Sequence, residues 1–531
     1  MEPVRSAMAA LRSPVARKAL GGAALLYALY LVKRYLAFLK WRRSMMGAFP
    51  GSSAPSLLLG DVQELLKCGG FGEPFFDALH TQHGEFARFF LGPTILNLSV
   101  SNPEHVLELY KKTRSRPFET YMFLSYLGKE NLLFTHGEMV KKLRLRYGKM
   151  ISNVEQLRKL NDNSFAEFGK LVAGWGAQPG GVEVHAQLGP VIYDIMGQTL
   201  FGGSWSTSSA GKSIMEHHKY LIKNTNKWMF WPFPPLFLPE YNEYVDTIKR
   251  WRALCWQLIE ERRAAIAADP KAWAGDESAL TMLITSTDEE GRPFFSKERA
   301  ISTMCGFLNG AYDTTHATVY WLTFNLANYQ ASQETLRNEL RAALGDRVAC
   351  SLDELRTLPY LDSFLKESMR FNVTVPINQR VNYEEDVQLG DYVVPKGTNV
   401  NIPMKIVLRD QRFFGKDANQ FRPERFDESD PLAETAKRVH TAFGGHSRMC
   451  VGEVFAKGEL KAYLITLLQR YKVEFLDPSA VSDEPYVEAG VNQPKNKALF
   501  KFTPLDQSAE AATNNLQWWT PEKNARKTMR A

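Results

Sequence analysis

The stretch from Phe443 to Ala456, FGGHSRMCVGEVFA, decides the fold of this 531-residue chain. A glycine-rich turn leads into Cys450, Gly452 follows two residues later, and a helix is predicted to begin at about Val451. At the start of a helix, free N–H groups and the positive end of the helix dipole stabilise a thiolate, the form of cysteine that binds a metal. Small residues around Cys450 let the backbone approach a flat cofactor, and Phe443 is placed to shield the sulfur from water. The pattern therefore favours a metal-ligating cysteine over a buried structural one.

Length, charge and cysteine content limit the class of protein. With 44% hydrophobic residues the chain can bury a large core, and although its length suggests two or more domains, no long Ser/Gly/Pro linker divides it. The net charge of +7 is a mild excess that fits a membrane-proximal protein or one with an acidic partner, and no compact basic stripe indicates nucleic-acid binding. The five cysteines are few, odd in number and widely separated, which argues against a disulfide framework and for a reducing compartment.

The N-terminus has the pattern of a membrane anchor. Residues 1–18 carry four cations against one acid, and residues 19–32 are uncharged and mostly apolar. Fourteen helical residues span roughly 21 Å, and continuing through Lys33 and Arg34 to Leu39 gives about 31 Å, close to the thickness of a hydrocarbon core. We therefore predict a basic segment (1–18), a transmembrane signal-anchor helix (19–39) and a basic, proline-rich hinge (40–55). An organelle transit peptide is the competing interpretation, because the first segment is Arg-rich and acid-poor.

The rest of the chain is predicted to be mainly α with a small β region. Apolar positions at three- and four-residue spacing predict helices over residues 247–268, 297–328, 331–344, 352–371 and 451–470. Residues 85–100 predict a hairpin around a Gly-Pro turn, and residues 376–404 predict further strands. Residues 227–238 contain three prolines among apolar residues. We interpret that stretch either as a loop packed on the core or as a second membrane-dipping surface, Trp228–Leu238, beside a substrate entrance.

Two further motifs precede the cysteine segment. In Lys366-Glu367-Ser368-Met369-Arg370 an acid and a base share one helix face, and Phe421-Arg422-Pro423-Glu424-Arg425-Phe426 follows downstream. The stretch Gly310-Ala311-Tyr312-Asp313-Thr314-Thr315 lies inside a long apolar helix, where an acid and two threonines are out of character. Taken alone, Thr314 could bond to its own backbone and Asp313 could pair with a distant base.

Together these motifs resemble, in their order, the signatures of the cytochrome P450 family, and the resemblance runs from roughly Pro50 to Leu505. It implies the P450 fold, a triangular helical prism around a buried haem b, as one haem-thiolate catalytic domain over residues 56–506. Residues 507–531 extend beyond the usual end of the family, and we assign them no role. The sequence departs from the family at His446, where glycine is usual, and at Val140, where tryptophan is usual.

The resemblance also assigns roles to individual residues. Thr314 would hydrogen-bond the dioxygen, and Asp313 would relay protons from solvent. Three residues would form a buried structural charge network: Glu367, Arg370 and Arg425. The metal ligand would be Cys450, and the remaining haem-binding residues would be Phe443, Gly452 and, toward the haem carboxylates, Arg144, Arg380 and Arg448.

The implied function is that of a monooxygenase that hydroxylates, epoxidises or further oxidises a lipophilic small molecule, such as a terpenoid, sterol, fatty acid or polyketide-type metabolite. No flavin or nicotinamide domain is visible, so the electrons would come from NADPH through a separate NADPH–cytochrome P450 reductase, with cytochrome b5 as a further partner. A basic docking face is predicted from Lys141, Lys142, Arg144, Arg146, Lys457 and Lys461. Its alternative is an ordinary solvated helix face.

The expected location is the endoplasmic reticulum membrane, single-pass, with the catalytic domain in the cytosol, and a mitochondrial or plastid membrane is the alternative. Two other functions stay open at this point. One is a haem-thiolate isomerase or dehydratase that needs no external electrons, and the other is a non-catalytic haem-binding membrane protein.

Overall fold

The structure, a computed structural model, describes residues 14–53, 55–117, 124–228 and 235–505. Residues 1–13 of the basic segment and the whole 507–531 extension lie outside the described residues. As predicted, the described chain is mainly helical with a small β region. Its α-helices are α1 (Pro14–Ala48), α2 (Val62–Lys67), α3 (Glu73–His83), α4 (Pro103–Lys112), α5 (Glu138–Ser152), α6 (Val154–Val172), α7 (Val184–Met196), α8 (Ser209–Trp228), α9 (Pro239–Ala268), α10 (Ala279–Thr285), α11 (Lys297–Asn328), α12 (Gln330–Leu344), α13 (Pro359–Phe371), α14 (Met404–Val407), α15 (Gln411–Phe414), α16 (Ala433–Val439) and α17 (Glu453–Leu468).

The strands form one mixed sheet and several two-stranded ribbons. They are β1 (Phe86–Leu91), β2 (Ile95–Val100), β3 (Ile377–Arg380), β4 (Val387–Leu389), β5 (Tyr392–Val394), β6 (Asn399–Pro403), β7 (Tyr471–Phe475), β8 (Pro485–Glu488), β9 (Val491–Pro494) and β10 (Phe500–Pro504). In the mixed sheet the order is β1-β2-β6-β3, with β2 parallel to β6 and the other pairs antiparallel. The predicted hairpin over 85–100 is confirmed as β1 and β2, and the strands predicted over 376–404 are confirmed as β3 to β6.

Helix α11 is the central element of the core. It begins where the Ser296 hydroxyl accepts a hydrogen bond from the N–H of Arg299 (3.1 Å), a side-chain cap that satisfies one free N–H of the first turn. Most of its side chains from Ala300 to Ala327 are buried, and it packs against α7 and α9. Its bounds match the predicted helix over 297–328.

The N-terminal helix is longer than predicted. α1 runs without a break from Pro14 to Ala48, through Lys33 and Arg34. Among the residues that the structure describes, no helix is both long and apolar enough to cross a membrane. The uncharged stretch covers only fourteen residues, and Lys33 and Arg34 interrupt its continuation. The predicted transmembrane helix over 19–39 is therefore not supported.

Residues 40–48, predicted to belong to a hinge, continue α1 and are tied to the body of the protein. Arg42 is only 3% exposed, and its guanidinium donates to the carbonyls of Pro93 (3.0 Å), Pro55 (2.9 Å) and Ser56 (2.8 Å). The same guanidinium lies over the ring of Phe90 at 4.6 Å. Three hydrogen bonds to backbone carbonyls and a ring contact fix this end of the helix to the body, so residues 40–48 belong to α1 and not to a separate hinge.

The proline-rich stretch is described only at its two ends. Helix α8 ends at Trp228, and residues 229–234 lie outside the described part of the chain. Beyond them Pro235 is buried, whereas Leu236 and Phe237 are 68% and 69% exposed. This adjacent apolar pair on the surface agrees better with the surface interpretation than with a loop packed on the core.

Candidate functional site

The loop before α17 holds Cys450 in a defined position. The N–H of Cys450 donates to the carbonyl of Phe443 (2.8 Å), which closes the loop, and Gly445 packs so tightly on Tyr110 that an added Cβ would meet its ring at 2.4 Å. The helix begins at Glu453, two residues later than predicted, with Gly452 as its N-cap. The backbone N–H of Gly452 donates to the Cys450 thiol, so one free N–H of the helix start points at the sulfur, as the sequence pattern indicates.

Cys450 is accessible and yet deep in the protein. Burial raises the pKa of its thiol more than the Gly452 N–H lowers it, even though the side chain is in contact with free space. The middle of helix α11 also contains accessible residues within a buried environment. There Gly310 is exposed and Ala311 and Thr314 are partly exposed, whereas nearly all their neighbours are buried. Accessible positions inside otherwise buried elements indicate an internal cavity, and we take these residues to line it.

His446 shows how the loop tolerates its departure from the family pattern. Its φ angle is +55°, in the left-handed region that glycine adopts without strain. Histidine is among the side chains that enter this region more readily than most. The loop therefore keeps a glycine-like backbone at His446, and the side chain extends outward, where it is exposed.

Four arginines surround the cysteine, and sequence reasoning identified only three of them. Arg144 donates to the carbonyl of Met449 (2.7 Å), Arg380 is fully buried over the Tyr110 ring (4.4 Å), and Arg448 lies two residues before the thiol. The fourth, Arg116, influences the pKa values of both Cys450 and Arg380 by its charge. It is held there because Ser115 pairs with Val381, the residue after Arg380 (N–H to carbonyl, 3.2 Å). The sequence around Arg116 carries no motif, so its place beside the cysteine follows only from this long-range pairing.

The charge of this cluster is uncompensated. In the described part of the chain no carboxylate pairs with Arg116, Arg144, Arg380 or Arg448, and burial lowers the pKa of all four. The Nε of Arg116 and the Nε and Nη2 of Arg380 have no hydrogen-bond partner although they are buried. Buried cations without partners are costly, and an anionic ligand would satisfy them. A haem, which brings two carboxylates and an iron for the thiolate, fits this set of residues.

Arg448 is less free than the resemblance implies. Its Nε donates to the carbonyl of Arg114 (2.7 Å), its Nη1 to that of Leu132 (2.8 Å) and its Nη2 to that of Thr135. Three of its five N–H groups thus donate to backbone carbonyls, one before and two after residues 124–131. We call this arrangement the Arg448 clamp. Arg448 still adds positive charge near the cavity, but Arg380 has more unsatisfied N–H groups.

The expected charge network is present as a compact buried unit. Glu367 and Arg370 are both fully buried and form a bidentate pair, Nε to Oε2 at 2.7 Å and Nη2 to Oε1 at 2.8 Å. Arg425 approaches Glu367 Oε2 at 3.5 Å and binds Asp417 Oδ1 at 2.8 Å. The N–H of Arg422 completes the shell of Glu367 Oε1 (2.8 Å). The structure therefore brings all three predicted network residues together.

Asp313 and Thr314 occupy different environments on α11. The Thr314 hydroxyl donates to the carbonyl of Gly310 (2.6 Å), the backbone bond that the sequence alone left open. Asp313 is buried, Gln493 Nε2 donates to its Oδ1 (2.9 Å), and its Oδ2 has no partner. Burial, reinforced by the nearby Glu488, raises the pKa of Asp313 to about 8. Asp313 is thus protonated near neutral pH, and no base among the residues that the structure describes pairs with it.

The docking face stays a prediction, and the structure shows which of its cations reach the surface. Lys141 and Lys142 are exposed, but Lys461 is 8% exposed, forms an ion pair with Asp362 (2.7 Å) and donates to the carbonyl of Leu355 (2.9 Å). Lys461 therefore stabilises the interior and is not part of a docking surface. Lys461 was correctly predicted to lie in a helix. The residues that cover its side chain belong to a different helical segment, from a distant part of the chain.

Comparison with known proteins gives a consistent result. The cytochrome P450 family model matches residues 50–502. The chain is 28% identical to a cytokinin hydroxylase of Arabidopsis thaliana over 55% of this chain and 56% of that protein, so the match spans about half the length of that relative. It is 23% identical to the mitochondrial 1,25-dihydroxyvitamin D(3) 24-hydroxylase of Mus musculus over 84% of this chain and 87% of that protein. It is 23% identical to the echinocystic acid 23-monooxygenase of Saponaria officinalis over 76% and 80%, respectively.

A solved structure shares the fold. Retinoic acid bound cyanobacterial CYP120A1 superimposes with a TM-score of 0.74 at 21% identity, covering 86% of this chain and 99% of that one. The family model covers most of the chain, and the cysteine loop, the charge network and the central helix lie within its matched range. The chain therefore belongs to the cytochrome P450 family.

Proposed function

We propose that the protein is a haem-thiolate monooxygenase that oxidises a lipophilic small molecule. The observation that carries the proposal is an accessible Cys450 at a helix start, near four arginines that have no carboxylate partner within the described residues and of which Arg380 and Arg448 are buried. When bound there, haem would supply the redox chemistry that uses dioxygen, two electrons and two protons to insert one oxygen atom into a C–H or π bond and to release the other as water. The activities named for the relatives, hydroxylase and monooxygenase, support this class of reaction.

Cys450 is the proposed ligand, and its surroundings are arranged for a thiolate. Burial alone favours the neutral thiol, but the Gly452 N–H and the charges of Arg116 and Arg144 oppose that effect. The free N–H groups at the start of α17 act in the same direction. Phe443 packs beside the loop with Lys457 over its ring (5.4 Å), which limits the access of water from that side. Arg116, Arg144, Arg380 and Arg448 are the proposed partners of the haem carboxylates.

Asp313 and Thr314 are the proposed proton-handling pair. Asp313 holds a proton near neutral pH, and because its Oδ1 accepts from Gln493, the proton resides on the unpartnered Oδ2. Thr314 lies one residue further along α11, on the accessible face, with its hydroxyl fixed on the Gly310 carbonyl. A buried acid beside a hydroxyl at the cavity can deliver protons to the reaction. This supports dioxygen-dependent oxidation over an isomerase or dehydratase, which consumes no protons of this kind.

The electrons are proposed to come from NADPH through a separate reductase, with cytochrome b5 as a second donor. The exposed cations Lys141 and Lys142 support an acidic partner on the face of α5. The proposed substrate classes are terpenoids, sterols, fatty acids and polyketide-type metabolites. The endoplasmic reticulum location stays a prediction from the N-terminal sequence.

The test is the carbon monoxide difference spectrum of the reduced protein, wild type beside Cys450→Ala. We expect a strongly red-shifted Soret band in the wild type and its loss in the variant, because only thiolate ligation produces that shift. A matched control is Cys68→Ala, which removes a partly buried cysteine far from the loop in sequence. An ordinary Soret position in the wild type would refute the proposal. NADPH consumption with added reductase then separates a monooxygenase from an isomerase.

A further inference from the structure

A chain of buried polar side chains ends at one residue of the cavity-lining helix. The hydroxyl of Tyr193 lies 2.6 Å from His218 Nδ1, and His218 Nε2 lies 3.3 Å from Asn309 Oδ1. From the other side, the Tyr126 hydroxyl donates to the same Oδ1 at 2.5 Å. Tyr126, Tyr193 and His218 are fully buried, and they come from three separate segments of the chain. Three buried groups are thus used to orient a single amide.

The protonation states of this chain follow from hydrogen-bond chemistry. Burial lowers the pKa of His218 to about 4, so its ring is neutral and has one donor and one acceptor nitrogen. A separation of 2.5 Å is within the range of O–H···O bonds and too short for an amide N–H···O bond, so the Asn309 oxygen faces Tyr126. His218 Nε2–H then also donates to that oxygen, and Nδ1 accepts from Tyr193. In this arrangement the two tyrosine hydroxyls, both His218 ring nitrogens and the Asn309 oxygen each have a partner.

This leaves the Asn309 Nδ2 amino group as a donor directed away from the chain. It has no hydrogen-bond partner in the described part of the protein, and Asn309 is partly exposed. Asn309 directly precedes Gly310 and lies five residues before Thr314, among the few accessible positions of α11. A rise of 1.5 Å per residue places it roughly 7.5 Å from Thr314 along the helix axis. Because Asn309 adjoins the exposed Gly310, we take its free N–H groups to border the accessible space that Gly310 and Thr314 line.

We propose that Asn309 selects substrates that carry a neutral carbonyl oxygen, by donating a hydrogen bond to it from Nδ2 while the carbon to be oxidised lies near Thr314. The inference rests on the proposed function for the identity of the cavity. A carbonyl oxygen fits better than a hydroxyl group because it needs only donors, whereas a hydroxyl also brings a hydrogen that the apolar cavity would leave unpaired. A hydrocarbon of the same shape would leave the Asn309 N–H groups unpaired on binding. The substrate class narrows to lipophilic ketones, esters or lactones.

The test compares binding of matched ketones and hydrocarbons to the haem-loaded protein by equilibrium dialysis. The probes are camphor with bornane, decalone with decalin, and androstanone with androstane. Losing a buried hydrogen bond and leaving its donor unpaired weakens binding about tenfold or more, so we expect the wild type to prefer the ketone of the best-binding pair by that factor. No preference for any ketone in the wild type would overturn the proposal.

The deciding variant is Asn309→Asp. It keeps the oxygen that accepts from Tyr126 and His218 but replaces the free amino group by an oxygen, so the ketone preference should disappear. Asn309→Leu provides a second variant without any donor, and its ketone preference should also be lost. Asn328→Asp is the matched control, because it makes the same change at an exposed position of the same helix and should retain the preference. A ketone preference that persists in Asn309→Asp or Asn309→Leu would overturn the proposal.

This experiment separates the inference from the proposed function. Dialysis requires neither electrons nor turnover, so it measures recognition even if the protein catalyses no oxidation. A normal ketone preference in a protein without reductase-dependent turnover would leave Asn309 as the recognition residue and refute the monooxygenase. Reductase-dependent turnover of a hydrocarbon without any ketone preference would support the monooxygenase and refute the role of Asn309.

Discussion

Replacing Glu459 by glutamine should stabilise the protein, by an amount that increases with pH. Glu459 lies in the second turn of α17 and is 2% exposed, and its Oε1 has no hydrogen-bond partner. Burial alone raises its pKa from 4.5 to about 8. Because the pKa of Glu459 is higher in the folded state than in the unfolded state, its ionisation takes no stability away below pH 4.5. As the pH rises toward 8, the unfolded state ionises first and the free energy of unfolding falls.

The size of the effect follows from the two pKa values. One pKa unit corresponds to about 1.4 kcal/mol, so the penalty for keeping Glu459 folded reaches about 3 kcal/mol at pH 7 and levels off near 5 kcal/mol above pH 8. Glutamine has nearly the same shape and no ionisation. The difference in unfolding free energy between Glu459→Gln and wild type should therefore increase by about 3.5 kcal/mol between pH 5 and pH 8.

The measurement is equilibrium unfolding in urea at four pH values, followed by tryptophan fluorescence and by haem absorbance. Glu428→Gln is the matched control, since it makes the same change at an exposed residue and so separates the effect of burial from that of the substitution itself. A pH-independent difference for Glu459→Gln, or a variant that becomes less stable than wild type as the pH rises, would refute the reasoning.

Four other predictions address the site. Asp313→Asn removes the proton that is held with a pKa of about 8, so turnover at neutral pH should fall about a hundredfold. The wild type should lose activity as the pH rises through 8, and the variant should show no such loss. A pH profile of product formed per NADPH consumed measures both effects. Glu367→Gln leaves Arg370 buried without its partner, which should cost about 3–5 kcal/mol in urea unfolding. Arg116→Gln should speed haem transfer to apomyoglobin about tenfold, through the loss of one charge-assisted bond, whereas exposed Arg114→Gln should not. His446→Gly should raise the unfolding free energy by about 0.5–1 kcal/mol, because relief of the positive φ outweighs the added freedom of the unfolded chain, and a loss of stability would contradict this.

Local sequence patterns predicted the parts of the molecule that depend on neighbouring residues. The cysteine loop, α11 and the β1–β2 hairpin each follow from spacing, turn residues or caps within one segment. The ion pair of Glu367 and Arg370, three residues apart on α13, is another case.

The features that the sequence did not predict depend on contacts between distant segments. Arg116 enters the arginine cluster only because Ser115 pairs with Val381, and Asn309 is oriented by Tyr126 and His218 from other parts of the chain. Lys461 appeared to be a surface cation because nothing in α17 shows that Asp362 covers it. The prediction of a transmembrane helix failed for a different reason. It considered the length of the segment but not how far Lys33 and Arg34 lower its mean hydropathy.

The Arg448 clamp has a consequence for how the protein is assembled. Arg448 binds carbonyls at Arg114, Leu132 and Thr135, on both sides of the segment that carries Tyr126, and it lies two residues from Cys450. Once formed, the clamp joins the cysteine loop to the backbone at Arg114, Leu132 and Thr135. We expect insertion of the rigid macrocycle during biosynthesis to precede the closing of these three bonds. The same three bonds would then slow the release of haem and make its loss a step that requires local unfolding.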